Sequence, residues 1–358
     1  MPLDPDVSAW LALEAVAGLG PDGTRQLLDR FGSAPAILAA GSTSLKPVVG
    51  AKLAAAIQEA ARQEPEAAAL AWLTEPDAHL ISCLDPRFPP ALKDLPGAPA
   101  WLYVKGDPAV LARPLLAIVG SRNATPQGRR DAEAFARTLA EAGLTIVSGL
   151  AEGIDAAAHE GGLLGNGSGV AVVGTGLDRV YPARHRDLAH RLAATGALVS
   201  EFAIGTPPKP GHFPRRNRLI SGLAVGVLVV EAAPQSGSLI TARLAGEQGR
   251  EVFAMPGSIH SPLAKGCHRL IKQGAKLVES AEDILEELHW QWTPPPVADP
   301  TGAAGDALLE LLGAEPVGLD ALAAASGLTV DRLSAMLLTL ELEGRVAQLP
   351  GGRYQRLY

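Results

Sequence analysis

The feature that most constrains the fold is a series of short apolar runs that alternate with helical segments from Leu115 onwards. Each run has the length of a β-strand, and the stretches between them have helical periodicity. The seven runs are Leu115–Val119, Leu144–Val147, Val170–Val173, Ala197–Ser200, Ala224–Val230, Glu251–Met255 and Lys276–Val278. Apolar strands that alternate with helices are typical of a mostly parallel, doubly wound sheet. The sequence therefore predicts an α/β, extended Rossmann-like fold.

Two further segments precede this series. Residues 1–78 predict a helical domain in which two helix pairs are each joined by a glycine-containing turn, Gly18–Pro21 and Pro47–Gly50. Such pairs resemble a helix-hairpin-helix or SAM-like domain, which can offer backbone N–H groups to a phosphate. The alternative is a small bundle that only packs on its neighbour. Residues 79–290 form the Rossmann-like domain, and its first part, 79–114, is irregular around one short strand, Trp101–Lys105.

The C-terminal part predicts a linker and a small third domain. Residues 291–304 are rich in proline and have the composition of a linker. Residues 305–358 contain three helical segments, Ala307–Leu312, Leu319–Ser326 and Val330–Leu342, followed by a hairpin, which is the layout of a winged helix. The third segment has more acidic than basic residues, and this favours a structural or protein-contact role over DNA binding.

The composition excludes several classes of protein. The 358 residues carry a formal charge of −7, which argues against a non-specific DNA coat but permits a local site for nucleic acid. Two cysteines without a C-x-x-C pair argue against a disulfide framework or a zinc site, so no metal is expected. The N-terminus lacks a signal peptide, and the apolar runs are far shorter than the roughly 20 residues of a membrane span. We expect a cytoplasmic protein with no membrane partner.

A cluster of basic residues, here called the basic island, occupies residues 209–218. Its cations are Lys209, Arg215, Arg216 and Arg218, with His212 and Phe213 among them, and no carboxylate lies between Glu201 and Glu231. The island lies between two predicted strands, where open α/β sheets gather their ligands. It therefore predicts an anion site, with a solvated loop as the alternative.

Three glycine-rich turns follow predicted strands and strengthen this interpretation. They are Gly120–Arg122, Ser148–Gly153 and Gly174–Gly176, which would meet at one edge of a parallel sheet. A Gly-Ser-Arg turn can offer N–H groups, a hydroxyl and a counter-charge to a phosphate. Neither the dinucleotide fingerprint nor the phosphate loop is present, so no cofactor is expected.

Candidates for catalysis are weak. Asp155 and His159 are four residues apart on a predicted helix, and Asp178 and Tyr181 follow the third strand of the series. Helical Asp–His pairs are commonly plain surface interactions. We interpret Asp155 as a cap or as a partner of Arg122 or Arg216, and predict that the protein is not an enzyme.

Five motifs in this order and spacing resemble the bacterial DNA-processing protein A family, also called DprA or Smf. They are Ile118–Arg122, Ser148–Asp155 with His159, Phe213–Arg218, Ser236–Ala242 and Met255–Gly257. The resemblance is strongest over about 85–285. It implies a non-catalytic protein that binds and protects incoming single-stranded DNA, forms a homodimer and loads the RecA recombinase in natural transformation and recombination. A single-strand-binding protein is a further implied partner.

The resemblance also implies which residues bind DNA. Carried over by position and completed by the last arginine of the basic island, they are Gly120, Ser121, Arg122, Lys209, Phe213, Arg216, Asn217 and Arg218. Arginines and N–H groups suit phosphates, while a phenylalanine stacks a base without reading sequence. A dimer surface is expected at 263–278, with either Leu270 or Ile271 facing outwards. The alternative is that both side chains pack inwards.

Two other functions remain as alternatives. The architecture resembles that of the lysine-decarboxylase-like phosphoribohydrolases, whose P-G-G-x-G-T-x-x-E motif supplies a catalytic glutamate. The comparable segment here, Gln235–Ala242, has no glutamate, and the next one is Glu247. That difference argues against a nucleotide-hydrolysing enzyme. A transcription factor acting through the winged helix is disfavoured by the acidic third segment.

Overall fold

The computed structural model describes residues 5–93, 95–291, 308–312, 316–342, 344–349 and 352–357. They belong to two compact units, one that ends at Gln291 and one that follows it. Among these residues, no helix combines the length and the apolarity that a bilayer crossing requires. The predicted linker, 291–304, lies outside the described residues except for Gln291 itself.

A nine-stranded sheet forms the centre of the first unit. Its strands are β1 (Ala78–Ser82), β2 (Trp101–Gly106), β3 (Leu115–Gly120), β4 (Thr145–Ser148), β5 (Gly169–Val172), β6 (Ala197–Ser200), β7 (Ala224–Val230), β8 (Glu251–Ala254) and β9 (Lys276–Leu277). Their order across the sheet is β1-β2-β6-β5-β4-β3-β7-β8-β9. The seven strands from β6 to β9 in this order are mutually parallel. The predicted parallel sheet is confirmed.

The first two strands extend this sheet in the opposite direction. β2 pairs antiparallel with β6, and β1 pairs antiparallel with β2. The sequence predicted β2 but not β1. Only Leu80 and Ile81 are large apolar residues in β1, so its own pattern is too short to indicate a strand, and pairing with β2 supplies the order.

Helices cover both faces of the sheet. They are α1 (Pro5–Glu14), α2 (Pro21–Phe31), α3 (Ala34–Ala39), α4 (Ser42–Ala60, kinked at Gly50), α5 (Ala67–Leu73), α6 (Pro90–Lys93), α7 (Pro126–Glu141), α8 (Ile154–Gly165), α9 (Arg186–Thr195), α10 (His212–Leu223), α11 (Ser238–Glu247), α12 (Lys265–Lys272) and α13 (Ala281–Glu287). Val170 and Val172 of β5 belong to the buried cluster that also contains residues of α10–α12, whereas Ala171 belongs to a separate cluster with residues of α9. Since side chains alternate along a strand, α9 and α10–α12 lie on opposite faces.

The N-terminal helices share a core with the antiparallel edge of the sheet. Trp72 of α5 contacts the ring of Tyr103 in β2, with the two ring centroids 5.7 Å apart. The carboxylate of Glu14 accepts hydrogen bonds from Tyr103 Oη at 2.6 Å and from Trp101 Nε1 at 3.2 Å. These contacts join α1 and α5 to β2.

The strand order reverses beside β3. From β3 the chain proceeds outwards through β4, β5 and β6, then returns to place β7 against the other side of β3. In open α/β sheets, ligands bind outside the carboxyl ends of the strands at this switch point. The fold therefore directs attention to the ends of β3 and β7, at Gly120 and Val230.

The second unit is a winged helix. Residues 308–311 are helical, and they precede β10 (Val317–Gly318), α14 (Leu319–Ser326), α15 (Val330–Leu342), β11 (Val346–Leu349) and β12 (Arg353–Arg356). The strands form a small antiparallel sheet in the order β10-β12-β11. Its core includes Leu322, Leu333 and Leu337. The predicted helices and hairpin are confirmed, apart from Ala307, which lies outside the described residues.

Candidate single-stranded DNA interface

The glycine-rich turns meet closely at the carboxyl edge of the sheet. Gly153 has a φ of +77°, and a Cβ there would overlap the carbonyl oxygen of Ser121. The backbone N–H of Ile154 donates to that same oxygen at 3.1 Å. A Cβ at Gly120 would likewise overlap the Val230 carbonyl. Glycine at 120 and 153 therefore permits the turns after β3 and β4 to pack against each other and against β7.

These turns and α10 surround a groove with a volume of about 760 Å³. Most of the predicted DNA-binding residues line it, namely Gly120, Ser121, Arg122, Lys209, Phe213, Arg216 and Asn217. The groove is also lined by residues to which the sequence assigned no DNA contact, among them Tyr181, Gln235, Ser236 and Ser238. Ser236 and Ser238 belonged to a motif of the family resemblance, but nothing in the sequence showed that this segment returns to β3.

Two cations at the groove are free to bind an anion. Arg122 and Lys209 are exposed, and neither side chain has a hydrogen bond or an ion pair among the described residues. The guanidinium of Arg122 lies 5.4 Å from the ring centroid of Phe213. An unpaired guanidinium can take a phosphate by charge-assisted hydrogen bonds.

Phe213 forms an aromatic surface between charged neighbours. Its half-buried ring lies 5.6 Å from the ring of Tyr181, at an interplanar angle of 39°. The guanidinium of Arg216 lies 6.0 Å from the Phe213 centroid, on the protein side. An accessible ring flanked by cations suits a base with its adjoining phosphate.

Arg216 forms the floor of the groove. Only 4% of the residue is exposed, and its guanidinium donates to the carbonyl oxygens of Gly149, at 2.7 Å, and Val172. Burial lowers the pKa of Arg216 to about 10, while the nearby Asp155 opposes this shift. These hydrogen bonds tie α10 to the ends of β4 and β5. The predicted phosphate contact is therefore not visible in this geometry.

Asp155 is held by the same turn. Its Oδ2 accepts from the backbone N–H groups of Gly149 at 3.1 Å and Ala151 at 3.3 Å. Burial raises the pKa of Asp155, and the charge of Arg216 opposes the rise. Asp155 is thus bound to N–H groups of the turn that precedes α8, whereas the expected pairing with Arg122 or Arg216 is present only as the nearby charges of these two arginines, without an ion pair among the described residues.

His159 does not form an acid–base pair with Asp155. It is buried, and neither ring nitrogen has a hydrogen-bond partner among the described residues. Burial lowers the pKa of His159 to about 3, so the ring is neutral near pH 7. A neutral ring that does not reach the groove cannot exchange protons with a ligand there.

The basic island is divided between two faces of α10. Phe213, Arg216 and Asn217 face the groove, whereas Arg215 and Arg218 bind the buried carboxylate of Glu201, the former at 2.9 Å. The placement of Arg218 with the groove residues was therefore wrong. Residues three or four apart share a helical face, and this separates 213, 216 and 217 from 215 and 218. Glu201, the carboxylate that precedes the basic island in sequence, therefore neutralises Arg215 and Arg218 in the structure.

The proposed centre of a dimer surface is also placed differently. Leu270 is buried in the core on α12, and Ile271 is partly buried against the same core. The alternative, in which both side chains pack inwards, describes the structure better. Leu270 also lines a second groove of about 650 Å³, together with residues of α11 such as Leu239 and Arg243.

Comparison with known proteins extends these observations. The family model described as DNA recombination-mediator protein A matches residues 79–289, and that of the DprA winged helix domain matches residues 293–352. Protein Smf of Escherichia coli (strain K12) is 47% identical over 299 residues, which cover 80% of each chain. DNA processing protein A (DprA) from Streptococcus pneumoniae superposes with a TM-score of 0.71 and 36% identity, over 82% of this chain and 100% of that one.

A second solved structure is that of DNA processing protein A from Helicobacter pylori, described for its single-stranded DNA binding mode. It superposes with a TM-score of 0.53 and 31% identity, over 57% of this chain and 94% of that one. The matches therefore span both the sheet that carries the groove and the winged helix.

Proposed function

Because the chain belongs to the DNA recombination-mediator protein A family, which includes DprA and Smf proteins, we propose that it binds single-stranded DNA in the groove at the ends of β3 and β7. Binding is non-catalytic and has little sequence preference. It serves DNA recombination and natural transformation by protecting the incoming strand.

The observation that supports this proposal most directly is that one groove contains both cations without an ion-pair partner and an accessible aromatic ring. Arg122 and Lys209 supply charge for phosphates, and Phe213 supplies a face on which any base can stack. A sequence-tolerant single-strand site needs these two components, because every nucleotide carries a phosphate and a π-face. A duplex hides the faces of its bases, so a ring in a narrow groove favours single strands.

The overall charge of −7 does not oppose this site. The two carboxylates that bound the basic island are both engaged elsewhere: Glu201 binds Arg215 and Arg218, and Glu231 accepts from the N–H and hydroxyl of Thr125. Among the described residues that line the groove, Asp155 is the one carboxylate, and it is buried. A phosphate would therefore meet a locally positive surface.

The groove lacks the groups that hydrolysis would need. Asp155 is bound to backbone N–H groups at the floor, and His159 is buried behind it. Glu247, the first glutamate after the serine-rich turn, lies at the far end of α11 in an ion pair with Arg243. These positions favour a binding protein over a nucleotide-hydrolysing enzyme.

We further propose that the chain acts as a homodimer in the cytoplasm and loads the RecA recombinase onto its bound strand, with a single-strand-binding protein as a further partner. Membership of the family supports these proposals. Two linked grooves would hold a flexible strand more firmly than one, because the second contact benefits from effective concentration.

The test is equilibrium binding of a fluorescent oligothymidine and of a duplex of equal length, by anisotropy over a series of salt concentrations. We expect the single strand to bind more tightly, and we expect Arg122→Ala together with Lys209→Ala to weaken its binding and to lower the salt dependence, because both cations would contact phosphates. The matched control is Arg137→Ala, which removes an exposed arginine of α7 that is paired with Glu141. Equal affinity for both DNAs, or an unaffected double variant, would refute the proposal.

A further inference from the structure

The groove can hold only a short piece of a strand. Its volume of about 760 Å³ is that of a site for a small molecule, for which roughly 300–1,000 Å³ is usual. A longer strand must therefore leave the groove across the surface of the protein. The side chains at the mouth of the groove indicate the path that the strand follows.

Tyr181 lies at one side of that mouth. Its side chain lines the groove, yet 47% of the residue is exposed, an unusual exposure for a large ring. The ring is inclined towards Phe213, with 5.6 Å between the centroids. If one base of a strand stacks on Phe213, a second aromatic ring, that of Tyr181, is available to the next base at the mouth of the groove.

Two exposed arginines follow Tyr181: Arg184, in the short 3-10 turn Ala183–His185, and Arg186, the first residue of α9. Arg184 pairs with Glu152 at 3.3 Å, and Glu152 adjoins Ala151, which lines the groove. The side chain of Arg184 remains 70% exposed in this pair. Exposed ion pairs contribute only about 0–1 kcal/mol, so a phosphate can replace the carboxylate.

Arg186 is the second arginine, one residue beyond His185. Its side chain is exposed, and among the described residues its one polar contact is a long hydrogen bond of 3.5 Å to His190. The segment is fixed against the groove wall, because the carbonyl oxygen of Leu150 lies 2.9 Å from His185 Nδ1. Asp187 is exposed, and Glu152 and Asp187 together offset the two arginines in number, so a phosphate would bind here by displacing the carboxylate of Glu152 from Arg184.

We propose that the strand leaves the groove over Tyr181 and continues across Arg184 and Arg186, here called the exit surface. Tyr181 stacks a base, and the two arginines bind the phosphates that follow it. This inference rests on the proposed function and adds a second DNA-binding surface to it.

The experiment compares two oligothymidines, one of about 6 nucleotides that occupies the groove alone and one of about 20 that exceeds it, within the range of known site sizes. Dissociation constants are measured by anisotropy at several salt concentrations for the full chain. The variants are Tyr181→Ala, Tyr181→Phe, and Arg184→Ala combined with Arg186→Ala. Arg137→Ala is the control, since it removes an exposed, ion-paired arginine of α7.

Loss of both exit arginines should weaken binding of the long oligonucleotide and reduce the slope of log K against log salt by roughly 1.4, or about 0.7 for each phosphate contact. The short oligonucleotide should bind as it does to the wild type. Tyr181→Ala should weaken the long one by roughly tenfold, and Tyr181→Phe should restore it, because the ring and not the hydroxyl stacks.

The inference is overturned if the double arginine variant binds the long oligonucleotide normally, if it weakens both lengths equally, or if Arg137→Ala has the same effect. If the wild-type chain bound neither the short nor the long oligonucleotide, the proposed function itself would be refuted, and the exit surface would be refuted together with it.

Discussion

Arg122 and Phe213 lie side by side in the groove, but they would hold a strand by different forces. In the proposed complex, the guanidinium of Arg122 would replace counterions on a phosphate, and its contribution would fall as salt rises. The ring of Phe213 would stack on a base, and this contribution would depend little on salt. The distance of 5.4 Å between them lets one nucleotide use both.

We predict that Arg122→Ala and Phe213→Ala both weaken binding to oligothymidine but differ in salt dependence. Arg122→Ala should lower the slope of log K against log salt by about 0.7. Phe213→Ala should cost roughly 1–3 kcal/mol with the slope nearly unchanged. Salt-titrated anisotropy measures both quantities. Equal changes of slope in the two variants would show that Phe213 does not stack.

The environment of Arg216 in the structure differs from the one that the sequence predicted. From sequence, the family resemblance implies that Arg216 binds DNA, and its place in the basic island predicts a phosphate contact. In the structure it is buried, and its guanidinium binds the carbonyl oxygens of Gly149 and Val172. Its removal would delete the hydrogen bonds that it donates to these two buried carbonyl groups and would take a nearby positive charge away from Asp155.

We therefore predict that Arg216→Ala lowers the free energy of unfolding by about 3 kcal/mol. Urea denaturation measures this loss, with Arg137→Ala expected to remain within about 0.5 kcal/mol of wild type as an exposed control. A variant as stable as the wild type, but with a reduced salt slope for DNA, would show instead that the guanidinium reaches the strand.

At the scale of elements, α10 decides which part of the basic island can bind DNA. The sequence predicted an anion site at 209–218, and six residues of that stretch line the groove. It could not show which face of the helix each arginine occupies, because the register of α10 depends on packing of Leu219 and Leu223 in the core. It also could not show that Glu201 folds back onto Arg215 and Arg218.

The sheet was predicted more completely than the site. The parallel strands β3 to β7 are apolar runs that are almost entirely buried, and such runs can be recognised in sequence, whereas β8 begins exposed and β9 is exposed. β1 was missed because two large apolar residues do not define a period. The groove also contains residues that are far from β3 in sequence, namely Tyr181, Ser236 and Ser238. They reach it because the chain folds back, and a local sequence pattern does not show which distant segments meet.

The contact between the turns after β3 and β4 gives a test of the groove's construction. We predict that Gly153→Ala destabilises the fold and weakens binding of DNA, because a Cβ there overlaps the carbonyl oxygens of Ser121 and Arg122. Gly167→Ala is the matched control. Gly167 has a similar φ of +72°, but a Cβ would meet nothing within 4 Å.

The control should lose roughly 1–2 kcal/mol from its backbone conformation alone and retain normal affinity. Gly153→Ala should lose more stability than the control, with a clear loss of affinity. Thermal unfolding and anisotropy measure the two effects. Normal DNA binding by Gly153→Ala would show that the packing of these two turns does not shape the groove.

For the whole first unit, Glu14 is the polar link between the N-terminal helices and the sheet. Burial raises the pKa of the Glu14 carboxyl, and hydrogen bonds from Tyr103 and Trp101 oppose the rise. When the folded pKa exceeds the unfolded one, the group's contribution to stability is fully present below the unfolded pKa. It is lost as the pH rises through the folded pKa.

We predict that wild type gains stability relative to Glu14→Gln as the pH falls from about 7 to about 4. Urea denaturation of both proteins at each pH measures the difference between their free energies of unfolding. Taking the difference cancels the effects of the other carboxyl groups. Tyr103→Phe, which removes one hydrogen bond to Glu14, should enlarge the pH dependence of the wild-type background. A difference that shrinks in acid would mean that the ionised carboxylate is the stabilised form.

The central claim is that the first unit alone binds single-stranded DNA. Trp72 and Tyr103 share one core, so the fragment that preserves the fold ends at Gln291 and keeps the N-terminal helices. The direct measurement is binding of an oligothymidine and of an equal-length duplex to residues 1–291 and to the full chain. We predict that the fragment retains the preference for the single strand. Binding that requires residues 308–357, or a preference for the duplex, would contradict the account.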